Sequence, residues 1–400
     1  KYISLLALVF YCSCSKDQLD VANPNDPTFD AIESESGLTQ LATGVDNGAA
    51  NGYYWVAFAY HEAMGDAIYI PWGNYSFRWV NQPTSITLDD NTVVTPPQEG
   101  SQGEALEVRN VRTQQGENAF IWEWQSMYAV NNTANLILSL VDDTELSGDA
   151  ELKRSVFKAW AYYWKGYAYS RIGSMYTAGL IIDEPGVTNG DFVSNAEVLA
   201  EAKVNLDLAK AELDQIAADI VPITSNIIPD NLVPSPFRGS APSSAMSKDA
   251  WIRNINTLLA RNILVNTKVA DMTAADWNEV FNLTSNGIQA SDYVFVMKQD
   301  GNNWEVSTTV NHRLMIGWHF LSERLVQDFK DGDQRYIDNV TVLSSPEINR
   351  AGRGIQYGTR FGLIENADYG ITENDKANIY YAGSYEENEL MKAEALIYSG

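Results

Sequence analysis

The sequence has few cysteines, little positive charge and no apolar run long enough to cross a bilayer. Its two cysteines, Cys12 and Cys14, lie near the start of the 400 residues, so neither a disulfide framework nor a thiolate metal site can form elsewhere. Lys and Arg number 27 against 52 Asp and Glu, a net charge of −25. The nearest approach to a basic patch is the loosely spaced set Arg350, Arg353 and Arg360. We therefore predict that the chain does not bind nucleic acid.

The first residues have the pattern of an export signal. Residues 3–11 form an apolar run of about nine, too short for a membrane span of about 20 residues but typical of a signal peptide. The polar turn to Cys12-Ser13-Cys14 resembles a bacterial lipoprotein signal, in which the cysteine after a small residue is acylated. We predict a signal peptide over 1–13, its basic start truncated, lipidation at Cys14 and one domain over 14–400. Tyr11 departs from that pattern, and the alternative is an ordinary secretory signal.

Helical periodicity dominates the rest of the chain. Apolar residues recur at steps of three and four in five segments: 119–140, 151–172, 194–216, 247–266 and 385–399. Ser194 with Glu197, and Ser384 with Glu387, have the spacing of capping boxes. A weaker helix is predicted from about Ser36 to Asp66.

The predicted apolar stripes give each helix a buried face. Gly166 and other small residues alternate with aromatic ones in 151–172, which favours close helix contact. The stripe of 247–266 runs from Trp251 to Val265, and that of 385–399 consists of Leu390, Ala393 and Ile397. Helical hairpins separated by long loops (81–118, 217–247 and 268–384) indicate a mainly α, tetratricopeptide-like scaffold, although the helices are unevenly spaced for a regular repeat.

Aromatic residues are concentrated in 53–79, where ten occur and about three would be expected at the chain average. The first five, Tyr53 to Tyr60, are interpreted as core. Pro71 and Gly73 exclude a continuing helix, so the later rings are placed on a loop or short strand. Trp72, Asn74, Tyr75 and Trp79 combine flat rings with an amide, which suits the apolar faces and hydroxyl groups of a neutral sugar.

Core packing is the alternative for each of these side chains, because their alternation also fits a half-buried strand. Trp304, which follows the turn signal Asp300-Gly301-Asn302-Asn303, is a further candidate for ligand contact, with packing against the scaffold as its alternative.

Enzyme signatures are weak. His61-Glu62 lacks the second histidine of a zinc-protease helix, and His312 and His319 have no acidic or cysteine partner at metal spacing. Asp328, Asp331 and Asp333 miss the spacing of a calcium loop and are interpreted as a solvated acidic helix end. We predict no enzyme activity, no cofactor and no metal, with a two-carboxylate glycosidase as the remaining catalytic alternative.

Three stretches resemble the SusD/RagB family of outer-membrane nutrient-binding lipoproteins. They are the N-terminus from Cys14 through Leu19-Asp20-Val21, the stretch from Lys158-Ala159-Trp160 to Ile172-Gly173, and Leu321-Ser322-Glu323-Arg324-Leu325-Val326. Residues 389–395 also resemble the family's late helix, after which the family's chain normally continues, so a C-terminal part is expected to be missing.

The resemblance implies a cell-surface protein, lipid-anchored in the outer membrane, that binds oligosaccharide and delivers it to a TonB-dependent (SusC-like) transporter. It also implies a tetratricopeptide-like helical scaffold whose irregular loops carry the ligand. Some relatives handle peptides, so peptide uptake on the same scaffold is the alternative function. The sequence does not identify the glycan or the transporter.

Overall fold

The structure is a computed structural model. It describes residues 32–45, 54–71, 77–80, 85–95, 102–216, 247–292, 296–298, 320–347, 358–364, 378–380 and 383–399, and every structural statement below refers to these.

The described residues are mainly helical. In this described part of the chain the α-helices are α1 (Glu35–Thr43), α2 (Tyr54–Met64), α3 (Phe77–Val80), α4 (Gln102–Arg109), α5 (Ile121–Leu140), α6 (Ala150–Met175), α7 (Asn195–Asp214), α8 (Lys248–Asn266), α9 (Ala274–Ser285), α10 (Glu323–Gln327), α11 (Gln334–Asn339) and α12 (Tyr385–Ser399). Two 3-10 helices, Arg112–Glu117 and Val269–Asp271, lie in the connections.

The strands are short and pair only two at a time among the described residues. They are β1 (Ile68–Tyr69), β2 (Ile86–Thr87), β3 (Val93–Val94), β4 (Ala178–Leu180), β5 (Phe192–Ser194), β6 (Val296–Lys298), β7 (Phe320–Leu321), β8 (Val340–Glu347), β9 (Thr359–Leu363) and β10 (Asn378–Tyr380). The antiparallel pairs are β1–β7, β2–β3, β4–β5, β6–β10 and β8–β9. The mainly α prediction is therefore confirmed.

The periodic segments form the helices that the sequence predicts, with boundaries set by their caps. Ser194 and Glu197 form the predicted capping box at α7, and the Ser247 hydroxyl accepts from the Ala250 N–H at the start of α8. At α12 the box is half formed, because Ser384 accepts from the Glu387 N–H while the Glu387 carboxylate pairs with Arg261 instead.

Helix α6 is the centre of the main hydrophobic core. Its aromatic residues Trp160, Tyr163, Trp164 and Tyr167 are all buried. A Cβ on Gly166 would lie 2.6 Å from Leu206 Cγ of α7, and one on Gly173 would lie 2.6 Å from Leu199 Cγ. The two helices therefore approach more closely than any side chain at these positions would allow.

Polar side chains attach α6 to other helices. Trp160 Nε1 donates to the Ala42 carbonyl of α1 at 2.8 Å, and Tyr163 Oη donates to Asn254 Oδ1 of α8 at 2.9 Å. Because these groups are buried, each bond also avoids the cost of an unsatisfied donor.

Two predicted helical stripes are wrong in part. In α12 the residues Leu390, Ala393 and Ile397 are exposed, and Asn388, Met391 and Ala395 are buried instead. The phase differs because Asn388 accepts from the Thr257 hydroxyl of α8 and donates to the Thr284 carbonyl of α9. In α8 the stripe is buried from Trp251 through Leu258, but Val265 is exposed.

The helix predicted from about Ser36 to Asp66 is represented by two helices, α1 and α2, in the described residues. Gly44 caps α1, whose Ser34 hydroxyl accepts from the Gly37 N–H. None of the described helices is both long and apolar enough to span a membrane.

We predict that Gly166→Ala destabilises the protein by about 1–2 kcal/mol, because the new methyl group overpacks the buried Leu206 by more than alanine gains in helix propensity. Chemical denaturation measures the change in the free energy of unfolding. Gly116→Ala is the control, since a Cβ there meets no atom within 4 Å. An unchanged stability for Gly166→Ala would contradict the proposed close packing.

Candidate ligand-binding site

Part of the aromatic-rich segment lies within the described residues. Tyr69 belongs to β1, where it is buried, and Trp79 lies in α3. The remaining predicted site residues lie outside the described residues: Cys14, Trp72, Asn74, Tyr75 and Trp304. Their roles stay predictions from the sequence.

Tyr69 lies in the short strand β1, as predicted, but helix α3 corrects the prediction of a loop or short strand for Phe77 and Trp79. Pro71 and Gly73 exclude a continuation of the helix that the sequence predicts up to about Asp66. They do not prevent a new helix from starting at Phe77. Phe77 and Val80 are both buried. They are three residues apart, so they lie on the same face of this helical turn.

A second hydrophobic cluster holds both flanks of residues 72–76. It is separate from the main core and comprises Ala59, Tyr60, Ala63, Ile70, Phe77, Val80, Leu106 and Ala119. The centroids of the Tyr60 and Phe77 rings lie 4.8 Å apart. Tyr60 is buried, which confirms its interpretation as a core residue. Ile70 and Phe77, which lie seven positions apart in the sequence, both belong to this cluster.

Trp79 is partly buried between two charged partners. Its Nε1 donates to Glu117 Oε2 at 2.7 Å, and the guanidinium carbon of Arg109 lies 3.2 Å from the centroid of its ring. The indole is further packed against the second cluster. The indole N–H is therefore already used within the protein, and part of the ring stays exposed.

A small polar cavity of about 210 Å³ lies beside Tyr69. The residues around it come from β1, β2 and α10 and from their connections, and the polar ones include Asp66, Ser85, Thr87, Ser322, Glu323 and Gln327. Ligand pockets usually exceed about 300 Å³, so this cavity suits one small polar group rather than a whole ligand.

The carboxylates at this cavity are neutralised by arginines. Glu323, whose side chain is 1% exposed, accepts from Arg360 Nε at 2.7 Å, and Arg360 Nη1 reaches Asp89 at 2.6 Å. Asp66 accepts from Arg324 Nε at 2.9 Å; burial raises the pKa of its carboxyl group, and the bond from Arg324 opposes that rise. Arg360 thus forms part of a buried ion pair rather than a basic surface patch.

A larger groove of about 920 Å³ lies between α7, α8 and α9. The described residues that line it include no aromatic side chain. Several of its polar groups are already paired: Arg253 binds Asp292 through two bonds of 2.7 Å, and Lys210 Nζ donates to Asn256 at 3.0 Å. This groove lacks the flat apolar surface that a sugar needs for stacking.

Acidic residues that the sequence placed together serve as caps and ion-pair partners. Asp333 caps α11 and pairs with Arg335, and Asp328 pairs with Arg324. Within the described residues, no three His, Cys, Asp or Glu side chains gather in a way that would hold a metal ion.

Comparison with solved structures gives matches over most of the chain. A SusD superfamily protein from Bacteroides vulgatus matches with a TM-score of 0.55 at 13% identity, over 92% of this chain and 77% of that one. Surface glycan-binding protein A from Bacteroides fluxus matches with a TM-score of 0.51 at 12% identity, over 93% and 77%. A protein solved with a xylogluco-oligosaccharide matches with a TM-score of 0.51 at 14% identity, over 88% and 71%.

The chain has a SusD-like fold. At these identities the likeness concerns the fold. No model of a known sequence family matches the chain, and no curated protein does. The stretches that resemble the family occupy defined places in this SusD-like fold: residues 158–173 lie in α6, residues 321–326 in β7 and α10, and residues 389–395 in α12.

A buried ionic cluster positions α2 within the SusD-like fold. The side chain of Glu123 in α5 is 2% exposed, and it lies 2.6 Å from Arg171 of α6 and 2.9 Å from His61 Nε2 of α2. Burial alone would raise the pKa of Glu123, but Arg171 and His61 together outweigh burial and lower it below its usual range. The cluster therefore ties the helix that precedes the aromatic segment to the main scaffold.

Sequence reasoning missed Arg109, Glu117, Glu323 and Arg360 as parts of the site. Arg109 and Glu117 lie 30 and 38 residues beyond Trp79, and the partners Glu323 and Arg360 are 37 residues apart, so no local spacing relates them. Glu323 does belong to one of the stretches that resemble the family, which is the one signal that could have indicated it.

We predict that Glu123→Gln destabilises the protein by about 3 kcal/mol at pH 7, because Arg171 and His61 lose their buried anionic partner. The lowered pKa means that the carboxylate stabilises the fold fully above its ordinary pKa of 4.5 and less as pH falls further. Denaturation of the wild-type protein and of Glu123→Gln at several pH values should therefore show a difference in the free energy of unfolding that becomes smaller below pH 4.5.

Glu151→Gln is the matched control. Its Arg154 partner lies 2.7 Å away, but Glu151 is 90% exposed, so we expect a change below about 0.5 kcal/mol. If Glu123→Gln and Glu151→Gln lowered the free energy of unfolding equally, burial of Glu123 would not account for its contribution to stability.

Proposed function

We propose that this protein is a non-catalytic, cell-surface lipoprotein that binds a neutral oligosaccharide and delivers it to a TonB-dependent outer-membrane transporter. The observation that carries the proposal is the SusD-like fold, together with two structural neighbours that handle glycans by their own descriptions: a surface glycan-binding protein and a protein in complex with a xylogluco-oligosaccharide.

The arrangement around residues 72–76 supports a ligand site at Trp72, Asn74 and Tyr75. Ile70 and Phe77 fix the two ends of this segment on one hydrophobic cluster. A short segment held at both ends loses less conformational entropy when it binds a ligand than a free loop does. Rings and an amide on such a segment can stack on sugar faces and pair with hydroxyl groups without any charge.

The charge of the protein supports a neutral ligand. The net charge of −25 repels anionic polymers at long range. Near the described part of the site, the Arg324 and Arg360 side chains already bind carboxylates, and Arg109 lies against Trp79. An anionic sugar would have to compete with these internal partners, whereas a neutral one would not.

We predict that Trp72→Ala and Tyr75→Ala each lower glycan affinity by about threefold to tenfold, since one stacked ring contributes about 0.5–1.5 kcal/mol. A glycan array identifies the ligand and isothermal titration calorimetry measures the affinity. Asn74→Ala and Trp304→Ala test the other two proposed contacts in the same way. Trp79→Phe keeps an aromatic ring and should bind the glycan with nearly wild-type affinity. Trp79→Leu removes the ring and should bind the glycan more weakly.

Tyr336→Ala is the control for the loss of a surface ring, because Tyr336 lies in α11, is 36% exposed and is not one of the proposed ligand contacts. Unchanged affinity in Trp72→Ala, Tyr75→Ala and Trp304→Ala would remove the proposed site. Binding of peptides with no binding of glycans would replace oligosaccharide by peptide as the ligand.

We predict that Cys14→Ser prevents lipid attachment and moves the protein from the membrane fraction to the soluble fraction. Metabolic labelling with a palmitate analogue measures attachment, and fractionation measures location. Cys12→Ser is the matched control, because bulky Tyr11 rather than a small residue precedes Cys12. Loss of label in Cys12→Ser alone would assign the lipid to the other cysteine.

A further inference from the structure

An exposed aromatic residue stands outside the site proposed above. Phe192 begins β5 and is 63% exposed, although the strand residue next to it, Val193, is partly buried. Its ring is stacked on Trp124 of α5, with centroids 6.3 Å apart and an interplanar angle of 26°. Burial of the ring does not explain this residue, because most of its surface stays in water.

The ring below Phe192 is held on its other sides by two tyrosines. Trp124 contacts Tyr128 at 4.7 Å and meets Tyr176 edge-on at 5.0 Å between centroids. Three aromatic side chains therefore surround the indole of Trp124. Phe192 is the most exposed of these four rings.

The backbone that carries Phe192 is fixed by tyrosine hydroxyl groups. Leu180 of β4 is the partner of Phe192 in the strand pair. The Tyr128 hydroxyl accepts from the Leu180 N–H at 2.6 Å and donates to the Leu180 carbonyl at 3.0 Å. The Tyr169 hydroxyl binds both backbone groups of Ile182 in the same way, at 2.8 and 3.0 Å. Burial raises the pKa of both phenols, so each stays protonated and keeps both bonds at physiological pH.

The surroundings of the ring favour a sugar over a protein partner. Protein interfaces use apolar patches of several hundred Å², whereas Phe192 is flanked by the exposed polar residues Asp191, Ser194 and Asn195. The strongly exposed apolar side chain of β5 is therefore a single ring, which lies beside the partly exposed Trp124. A single pyranose presents an apolar C–H face of that size and hydroxyl groups around it.

Contacts connect this ring to the site proposed above. The Tyr176 hydroxyl donates to the Phe120 carbonyl, and Phe120 packs on the second hydrophobic cluster together with Trp79. Trp79, Phe120, Tyr176 and Trp124 are all partly exposed. Trp124, Tyr176 and Phe120 thus link Phe192 to the hydrophobic cluster on which Trp79 packs.

We propose that Phe192, supported by Trp124, forms a second stacking subsite for a distant unit of the same neutral oligosaccharide, so that the protein selects longer chains over short ones. This inference rests on the proposed function. A rigid platform of this kind gains affinity because little has to be ordered when the ligand arrives.

The test measures how affinity depends on ligand length. After a glycan array has identified the class that binds, the cello-, xylo- or malto-oligosaccharides of two to seven units serve as probes in calorimetry. In the wild-type protein, affinity should rise with length. Phe192→Leu keeps an apolar contact with Trp124 but removes the flat ring, so the longest probe should lose about threefold to tenfold while the shortest is unchanged. Phe192→Tyr keeps a flat ring, so it should bind the long probes with nearly wild-type affinity.

Tyr398→Leu is the matched control. Tyr398 is 52% exposed and is stacked on Trp277 with centroids 4.6 Å apart, so it is the same kind of ring pair in another place. Thermal unfolding checks that each variant is folded. An unchanged length dependence in Phe192→Leu, an equal loss at every length or an equal loss in Tyr398→Leu would each overturn the second subsite while leaving the first site intact. If no neutral glycan on the array binds, the proposed function and this inference fail together.

Discussion

The structure depends on the close approach of α6 and α7. Gly166 and Gly173 leave no room for a Cβ, because Leu206 and Leu199 of the facing helix already fill that space. At this separation, the large rings on the other sides of α6 can contact α1 and α8 at once. Interior packing at crystal-like density transmits small displacements, so a change in this one contact would move every helix that rests on α6.

Short elements depend on this frame through polar bonds. The β4–β5 hairpin is too short to be stable on its own. Tyr128 and Tyr169 replace a third strand, since each hydroxyl binds both backbone groups of one residue, and Asn131 and Asn135 donate to the Ile182 carbonyl at 3.0 and 2.7 Å. The helices therefore supply not only an apolar core but also the hydrogen-bond partners that a larger sheet would provide.

The long helices could be predicted from sequence because their information is local: period and small residues in 151–172 indicate α6, and Ser194 with Glu197 marks the start of α7. The phase of α12 could not, because buried Asn388 finds its partners 131 and 104 residues away, in Thr257 and Thr284. The same holds for the site. The ring of Trp79 is visible in the sequence, but Glu117 and Arg109 reach it only in the fold. Phe192 follows an ordinary Gly190-Asp191 turn signal, and the ring on which it stacks, Trp124, lies 68 residues earlier.

Two kinds of aromatic residue are thus present, and burial distinguishes them. Rings such as Trp160 and Trp164 are fully enclosed and contribute to stability through the area they remove from water. Phe192 rests on the partly buried Trp124, Trp79 lies between Arg109 and Glu117, and both rings keep part of their surface in water. An exposed ring that is free to turn would lose rotational freedom when a ligand binds, which offsets the gain from stacking. A ring that the scaffold already holds loses little, so the density of the core beneath it bears directly on how tightly a weakly interacting, uncharged ligand can be held.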